Sequence, residues 1–294
     1  MQGVLEGRAG GRRGMSCGSE GEVDSEGFLL RPRGGCAPPP GGACAPPRWA
    51  DPALRALAWK REGLPDELRF ERPYRYTLAS GLEIEVEQRP FGPEGFASTV
   101  WDSSIVASRW AECRGAAFWE GAQVLELGAG CGLVACTLAA LGARVMATDL
   151  PPNLPLLRRN AAAFGRSSGL PAPEVAPCEW GIRGAAERGG WNWIVGCDLM
   201  YIEEAVGALV DTLEMCTGGA ETPDPGVGVL MAFGRNCQAQ EAFEAEMYAR
   251  RFSRRRLRTR ELHPDFAPPD VSVFEWRRLA RPSRRCKRPR GEVA

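Results

Sequence analysis

Hydrophobic and polar positions along this chain fall into a few short periods, and each period predicts an element. Tyr74, Tyr76 and Leu78 alternate with other residues before Ser80-Gly81, and Leu82, Ile84 and Val86 alternate after it. Period two on both sides of a turn signal predicts a β-hairpin. From Val100 onward Ile105, Val106, Trp110 and Cys113 recur at helical spacing, with Asp102 placed to cap the helix and Trp101 placed to pack against its start. Val124 to Leu127 is a short apolar run broken by one carboxylate, Glu126, which fits a buried strand. Leu133, Val134, Thr137, Leu138 and Leu141 then make a helical stripe closed by Gly142, and Val145 to Thr148 is a second buried strand ending in Asp149. Downstream, Leu154, Leu157, Ala161 and Phe164 predict a helix that stops at Gly165, and Glu174 to Cys178 a short edge strand. Trp193 to Asp198 and Val227 to Phe233 read as core strands around a helix from Glu203 to Cys216. Phe243 begins a further helix, and Leu257 to Leu262 pairs with Val271 to Leu279 as two closing antiparallel strands.

Strand, loop, helix, strand is the first half of a doubly wound α/β sheet, and its loop carries the chemistry. Gly128, Gly130 and Gly132 permit positive φ and a close approach of ligand to backbone, although such loops also serve as plain connectors. Asp149, at the end of the second strand, is placed where a carboxylate accepts hydrogen bonds from the vicinal hydroxyls of a ribose. The dinucleotide fingerprint requires a third glycine where this chain has Leu133, so a nicotinamide cofactor does not fit.

Composition adds exclusions. Thirty-seven basic and thirty-seven acidic residues cancel, giving no global field toward nucleic acid or membrane. Eleven cysteines contain no CxxC pair and the single histidine is His263, a set that fits neither zinc nor a disulfide framework and predicts reduced thiols and no metal site. No apolar run reaches the length of a membrane span and the first residues lack a signal-peptide core, so a cytoplasmic location is expected. The basic stretch Arg284 to Arg290 is a candidate nuclear signal. Residues 1–50 hold twelve glycines and six prolines and are expected to be disordered. Residues 51–72 form a short helical lead-in, 73–280 the folded domain and 281–294 a basic tail, while the seven arginines between Arg250 and Arg260 read as a solvated face.

The succession Val100-Trp101-Asp102, Glu126-Leu-Gly-Ala-Gly-Cys-Gly132, Thr148-Asp149, Glu179-Trp180-Gly181 and Asp198-Leu-Met-Tyr201 resembles the lysine methyltransferase-like proteins of methyltransferase family 16. Seven-strand enzymes acting on nucleic-acid bases or glutamine amides usually carry Asn/Asp-Pro-Pro-Tyr in place of the last of these motifs. The resemblance spans roughly residues 70 to 280 and implies a seven-strand Rossmann-like sheet with an N-terminal hairpin, S-adenosylmethionine as cofactor, and methylation of a protein lysine by a monomer. It also implies that Trp101, Gly128, Ala129, Gly130, Asp149, Trp180 and Cys197 line the cofactor site, with Trp180 shielding the adenine and Cys197 standing where the family usually has alanine. Asp198 and Tyr201 are then the acceptor end, Asp198 stabilising charge on the amine and Tyr201 walling the channel and hydrogen-bonding Asp198. Two alternatives stay open on the residues alone: another acceptor on the same scaffold, whether a small-molecule amine, a histidine or an arginine, and a non-catalytic interaction module.

Overall fold

Runs such as Val124-Leu125 and Trp193-Ile194-Val195 have too little polar content to face water on either side, and they become central strands covered by helices on both faces. The computed structural model describes residues 73–89, 96–184, 188–219, 222–235 and 237–280; the expectations for 1–50, 51–72 and 281–294 lie outside the described residues. A hairpin of β1 (Tyr74–Thr77) and β2 (Glu83–Val86) comes first, Tyr76 opposite Ile84, with both side chains buried. Helices α1 (Asp102–Arg114) and α2 (Ala116–Trp119) lead into β3 (Gln123–Leu127), α3 (Leu133–Ala140), β4 (Arg144–Asp149), α4 (Leu154–Ser168) and β5 (Glu174–Pro177). The second half runs β6 (Trp193–Cys197), α5 (Val206–Cys216), β7 (Gly228–Phe233), α6 (Gln240–Ala249), β8 (Phe252–Arg256) and β9 (Ser272–Arg278).

The sheet order is β5-β4-β3-β6-β7-β9-β8, parallel up to β7, with β9 antiparallel to both its neighbours. From β3 the chain builds outward through β4 and β5, then returns to lay β6 against β3's other side. Order reverses there, and the carboxyl ends of β3 and β6 border the crevice in which ligands of open α/β sheets bind. Alternation along β3 sends Val124 to the α1/α3 face and Leu125 and Leu127 to the α5/α6 face. Glu126 follows the Val124 parity and is buried with it. At the amino end of β6, Trp193 meets Trp110 and Trp119 at ring-centroid distances of 5.8 and 5.9 Å, each pair contributing about 0.5–1.5 kcal/mol beyond area burial.

Four expectations are corrected. Asp102 is the first residue of α1 rather than its cap; Trp101 holds the N-cap position in extended conformation, with no side-chain cap hydrogen bond. Cys113 is exposed, off the buried stripe of Ile105, Val106 and Trp110. Helix α4 runs through Gly165 to Ser168, because a glycine in right-handed conformation costs only about 1 kcal/mol, and Gly169 at φ +70° closes it. The closing antiparallel strand is Phe252–Arg256, not 257–262. Arginine stems cover apolar rings there: the Arg254 guanidinium lies 4.7 Å from the Phe274 ring centre while also pairing with Glu244.

Candidate active site

After Leu127 the chain must turn sharply, and Gly128, Gly130 and Gly132 all take positive φ, +61°, +53° and +84°. Space as well as conformation demands glycine: a Cβ at Gly130 would stand 2.9 Å from the backbone oxygen of Ala97, and one at Gly128 would stand 2.5 Å from a Leu199 methyl. The Ala129 N–H donates to the Thr148 carbonyl at 2.9 Å, tying the loop to the end of β4.

Asp149 completes that tie. Its Oδ2 accepts the Gly130 N–H at 2.8 Å, and its Oδ1 accepts the Leu150 N–H at 2.8 Å and the Asn153 amide at 2.6 Å. A carboxylate offers about four acceptor positions, so roughly one remains for a ligand hydroxyl. The side chain expected to hold two ribose hydroxyls thus also pins the glycine loop and caps the turn before α4. Trp180 is half-buried on the other side of the loop, its indole 3.7 Å from the point where a Gly128 Cβ would stand. The neighbouring Gly181 N–H donates to the Thr212 hydroxyl at 2.8 Å, fixing this turn on α5. Trp101 donates its indole N–H to the Phe96 carbonyl at 3.1 Å, and their rings lie 6.2 Å apart at the α1 end of the crevice. Cys197 is buried in the floor; burial first, then the Glu126 and Asp198 charges, pushes its thiol far above the usual range and leaves it protonated.

Asp198 follows β6 in left-handed conformation, φ +54°, a backbone that Asp and Asn tolerate better than other non-glycine residues. Its N–H donates to Ala232, its Oδ1 accepts the Gly234 N–H at 2.7 Å, and its Oδ2 accepts the Ser103 hydroxyl. Burial raises its pKa, the Ser103 and Gly234 bonds pull it back, and Asp102 adds a further upward push. Tyr201 is 38% exposed with its ring edge-on to Phe96 at 5.8 Å. The expected Tyr201–Asp198 hydrogen bond is not made among the described residues, where the donors on the carboxylate are Ser103 and Gly234; burial first, then the field of Asp149, raises the Tyr201 pKa. Phe96, Trp101 and Tyr201 form one aromatic group on this rim.

Three members of the site were not picked out from the sequence. Phe96 was signalled only as an aromatic in a Gly/Pro-rich stretch and Ser103 only by following Trp101-Asp102, whereas Gly234 carries no sequence signal beyond closing a strand.

The residues fit a nucleoside-bearing cation. Glycines leave room for it, Asp149 keeps an acceptor position, and Asp102, Asp149 and Asp198 make this end of the crevice acidic. Glu126, immediately below, is pushed up to about 8 by burial against a single backbone hydrogen bond from Ala135, so it is neutral at pH 7, and its Oε2 has no partner among the described residues. The described residues contain no group of three or more His, Cys, Asp or Glu side chains able to hold a metal, and no helix long and apolar enough to cross a membrane.

Residues 79–250, more than half of the chain, match the family described as lysine methyltransferase. Protein N-lysine methyltransferase METTL21A of Danio rerio is 33% identical over 181 residues, covering 61% of this chain and 77% of its own length. EEF1A lysine methyltransferase 3 of Xenopus tropicalis is 32% identical over 162 residues, covering 53% of this chain and 71% of its own. Among solved structures, a T. thermophilus 16S rRNA N2 G1207 methyltransferase superposes with a TM-score of 0.48 at 18% identity, covering 71% of this chain and 50% of that one. A seven-strand Rossmann-like sheet, a glycine loop with its terminal carboxylate and a match over residues 79–250 lead to one assignment: the chain belongs to the lysine methyltransferase family.

Proposed function

We propose that this enzyme methylates the side-chain amine of a lysine in a protein, acting as a monomer, and that Asp198 receives that amine. The observation that carries this reading is a buried carboxylate, fixed by Ser103 and Gly234, at the carboxyl edge of the strand next to the glycine loop. S-adenosylmethionine supplies an electrophilic methyl on a sulfonium, so the protein must present a neutral amine in line with it and stabilise the positive charge that appears on nitrogen. Asp198 does the second: at about 4 Å and an effective dielectric near 20 a carboxylate attracts a unit charge by roughly 4 kcal/mol, an upper bound of about a thousandfold in rate. Phe96, Trp101 and Tyr201 are rings of the kind that embrace a methylated ammonium while keeping water from its methyls. Cys197 holds its proton and is no nucleophile, which fits direct transfer without a covalent intermediate. Trp180 beside Gly128 gives a flat apolar surface for the adenine.

Lysate proteins incubated with labelled S-adenosylmethionine and mapped by mass spectrometry provide the test. Label on lysine, with Asp198→Asn losing about a hundredfold to a thousandfold in turnover while isothermal titration still shows cofactor binding, is the expected result. Label on histidine, arginine or small amines alone, or near-parental turnover in Asp198→Asn, would overturn it.

A further inference from the structure

The seven arginines between Arg250 and Arg260 are not used by the chemistry above, and they are not one uniform solvated face. Arg250 pairs with Asp211, Glu246 and Glu214, Arg254 with Glu244, and Arg255 with Glu261 and Glu275. Arg256 reaches only the Ser272 hydroxyl, Arg258 shares Glu261 with Arg255, and Arg260 meets no carboxylate among the described residues. Of these three exposed side chains, Arg256 and Arg258 rim a concavity of about 520 Å³, and all three line an adjoining one of about 400 Å³. The floor of the larger is apolar, with Leu257, Leu262, Val271 and Val273 all buried.

Sheet register places this groove on the same edge as the crevice. Both β7 and β8 run antiparallel to β9 and therefore parallel to each other, so β8 ends at the carboxyl rim. Asp198 donates its N–H to Ala232, Ala232 lies opposite Val273, and Val273 accepts the Leu257 N–H at 2.9 Å. Asp198 and Leu257 thus stand in one row across the sheet, three strand spacings or roughly 14 Å apart. An extended peptide covers that in about four residues. Family membership does not describe this rim, since the family match ends at residue 250.

We propose that this groove is a docking site for an acidic segment of the protein substrate, seated beside the target lysine and contacting Arg256, Arg258 and Arg260. The inference rests on the lysine-methylation reading for what the peptide is doing there. Charge complementarity selects the acidic occupant. An apolar floor with no aromatic ring among its lining residues favours a peptide over single-stranded nucleic acid, whose bases need stacking platforms.

Two fluorescein-labelled peptides decide it. Each carries one lysine; the first has glutamates four to six residues away on both sides, the second glutamines at those positions. Fluorescence anisotropy with the full chain should show the glutamate peptide binding more tightly, with the difference shrinking at high salt. The combined Arg256→Gln, Arg258→Gln and Arg260→Gln variant should lose that preference by roughly tenfold to a hundredfold, as expected for three exposed ion pairs acting together. Its S-adenosylmethionine titration should match the parent, because none of the three touches the crevice. Equal binding of the two peptides, an unchanged preference in the variant, or tighter binding of a twelve-nucleotide RNA than of the glutamate peptide would each overturn the proposal. Absence of methylation on a peptide that binds with the predicted preference would instead sink the lysine reading and leave the groove standing.

Discussion

The carboxyl rim of this sheet has two ends of opposite character. At the β3–β4–β6 end the charges are carboxylates, buried or nearly so, and each oxygen of Asp149 and Asp198 is held by a named donor. At the β8 end the charges are guanidiniums on long exposed stems, and only part of them are paired. The first arrangement fixes geometry before a ligand arrives, and its groups cannot shift without disturbing backbone. The second can follow a ligand and loses little when one member is removed. Single substitutions should therefore have steep consequences at one end and shallow ones at the other.

Asp149→Ala should have the largest effect on cofactor binding. Hydrogen bonds to a charged group are worth about 1.5–3 kcal/mol, so S-adenosylmethionine affinity should fall roughly tenfold to a hundredfold by isothermal titration. Because Asp149 also holds Gly130, Leu150 and Asn153, the melting temperature should fall too. A purely capping role predicts the second loss without the first.

Gly130→Ala comes next. Positive φ costs an alanine about 1–2 kcal/mol, and the 2.9 Å approach to Ala97 displaces the loop as well, so affinity should drop by about tenfold or more. Gly169→Ala pays the same conformational cost at φ +70° with nothing within 4 Å, and should lose stability while binding cofactor like the parent. Matching affinities in the two variants would show that the glycine loop does not cradle the ligand.

Glu126 separates the ends through pH. Its carboxyl sits at about 8 in the fold, against about 4.3 in an unfolded chain. Between those values the native state keeps a proton that the unfolded state has released, so the contribution of this group to stability is greatest below about pH 4 and falls as pH rises toward 8. The slope approaches 1.4 kcal/mol per pH unit within that window. Glu126→Gln should flatten the dependence of melting temperature on pH between 5.5 and 8; an unaltered slope would place the proton elsewhere.

Arg255→Ala should have the smallest effect. Its pairs with Glu261 and Glu275 are solvent-exposed on the arginine side, and removing them should move stability by no more than about 0.5 kcal/mol in denaturant unfolding. A loss above about 2 kcal/mol would make the basic end as rigid as the acidic one.

Legibility in the sequence divides along the same line. The β3 loop, its glycines and Asp149 could be read because local rules act there: a buried run, positive φ and a strand-end carboxylate each depend on near neighbours. The partners of Asp198 could not, since Ser103 and Gly234 come from positions 95 and 36 residues away and meet it only once β6, β7 and α1 are packed. The β8 strand was placed a few residues late because arginines at three successive positions hide the alternation. Burial of Phe252 and the stacking of Arg254 on Phe274, which make it a strand, are tertiary facts.

The left-handed backbone of Asp198 dictates how this enzyme can be silenced without being damaged. Alanine there would add about 1–2 kcal/mol of steric strain to the loss of the carboxylate, blurring chemistry with folding. Asparagine accepts the same φ and keeps an oxygen for the Gly234 N–H, so it yields a protein with an undisturbed β6 turn, a complete glycine loop and the whole β8 rim, lacking only the charge proposed to meet the amine. Such a dead enzyme is a natural bait: immobilised with S-adenosylmethionine, it should retain its clients instead of releasing them methylated.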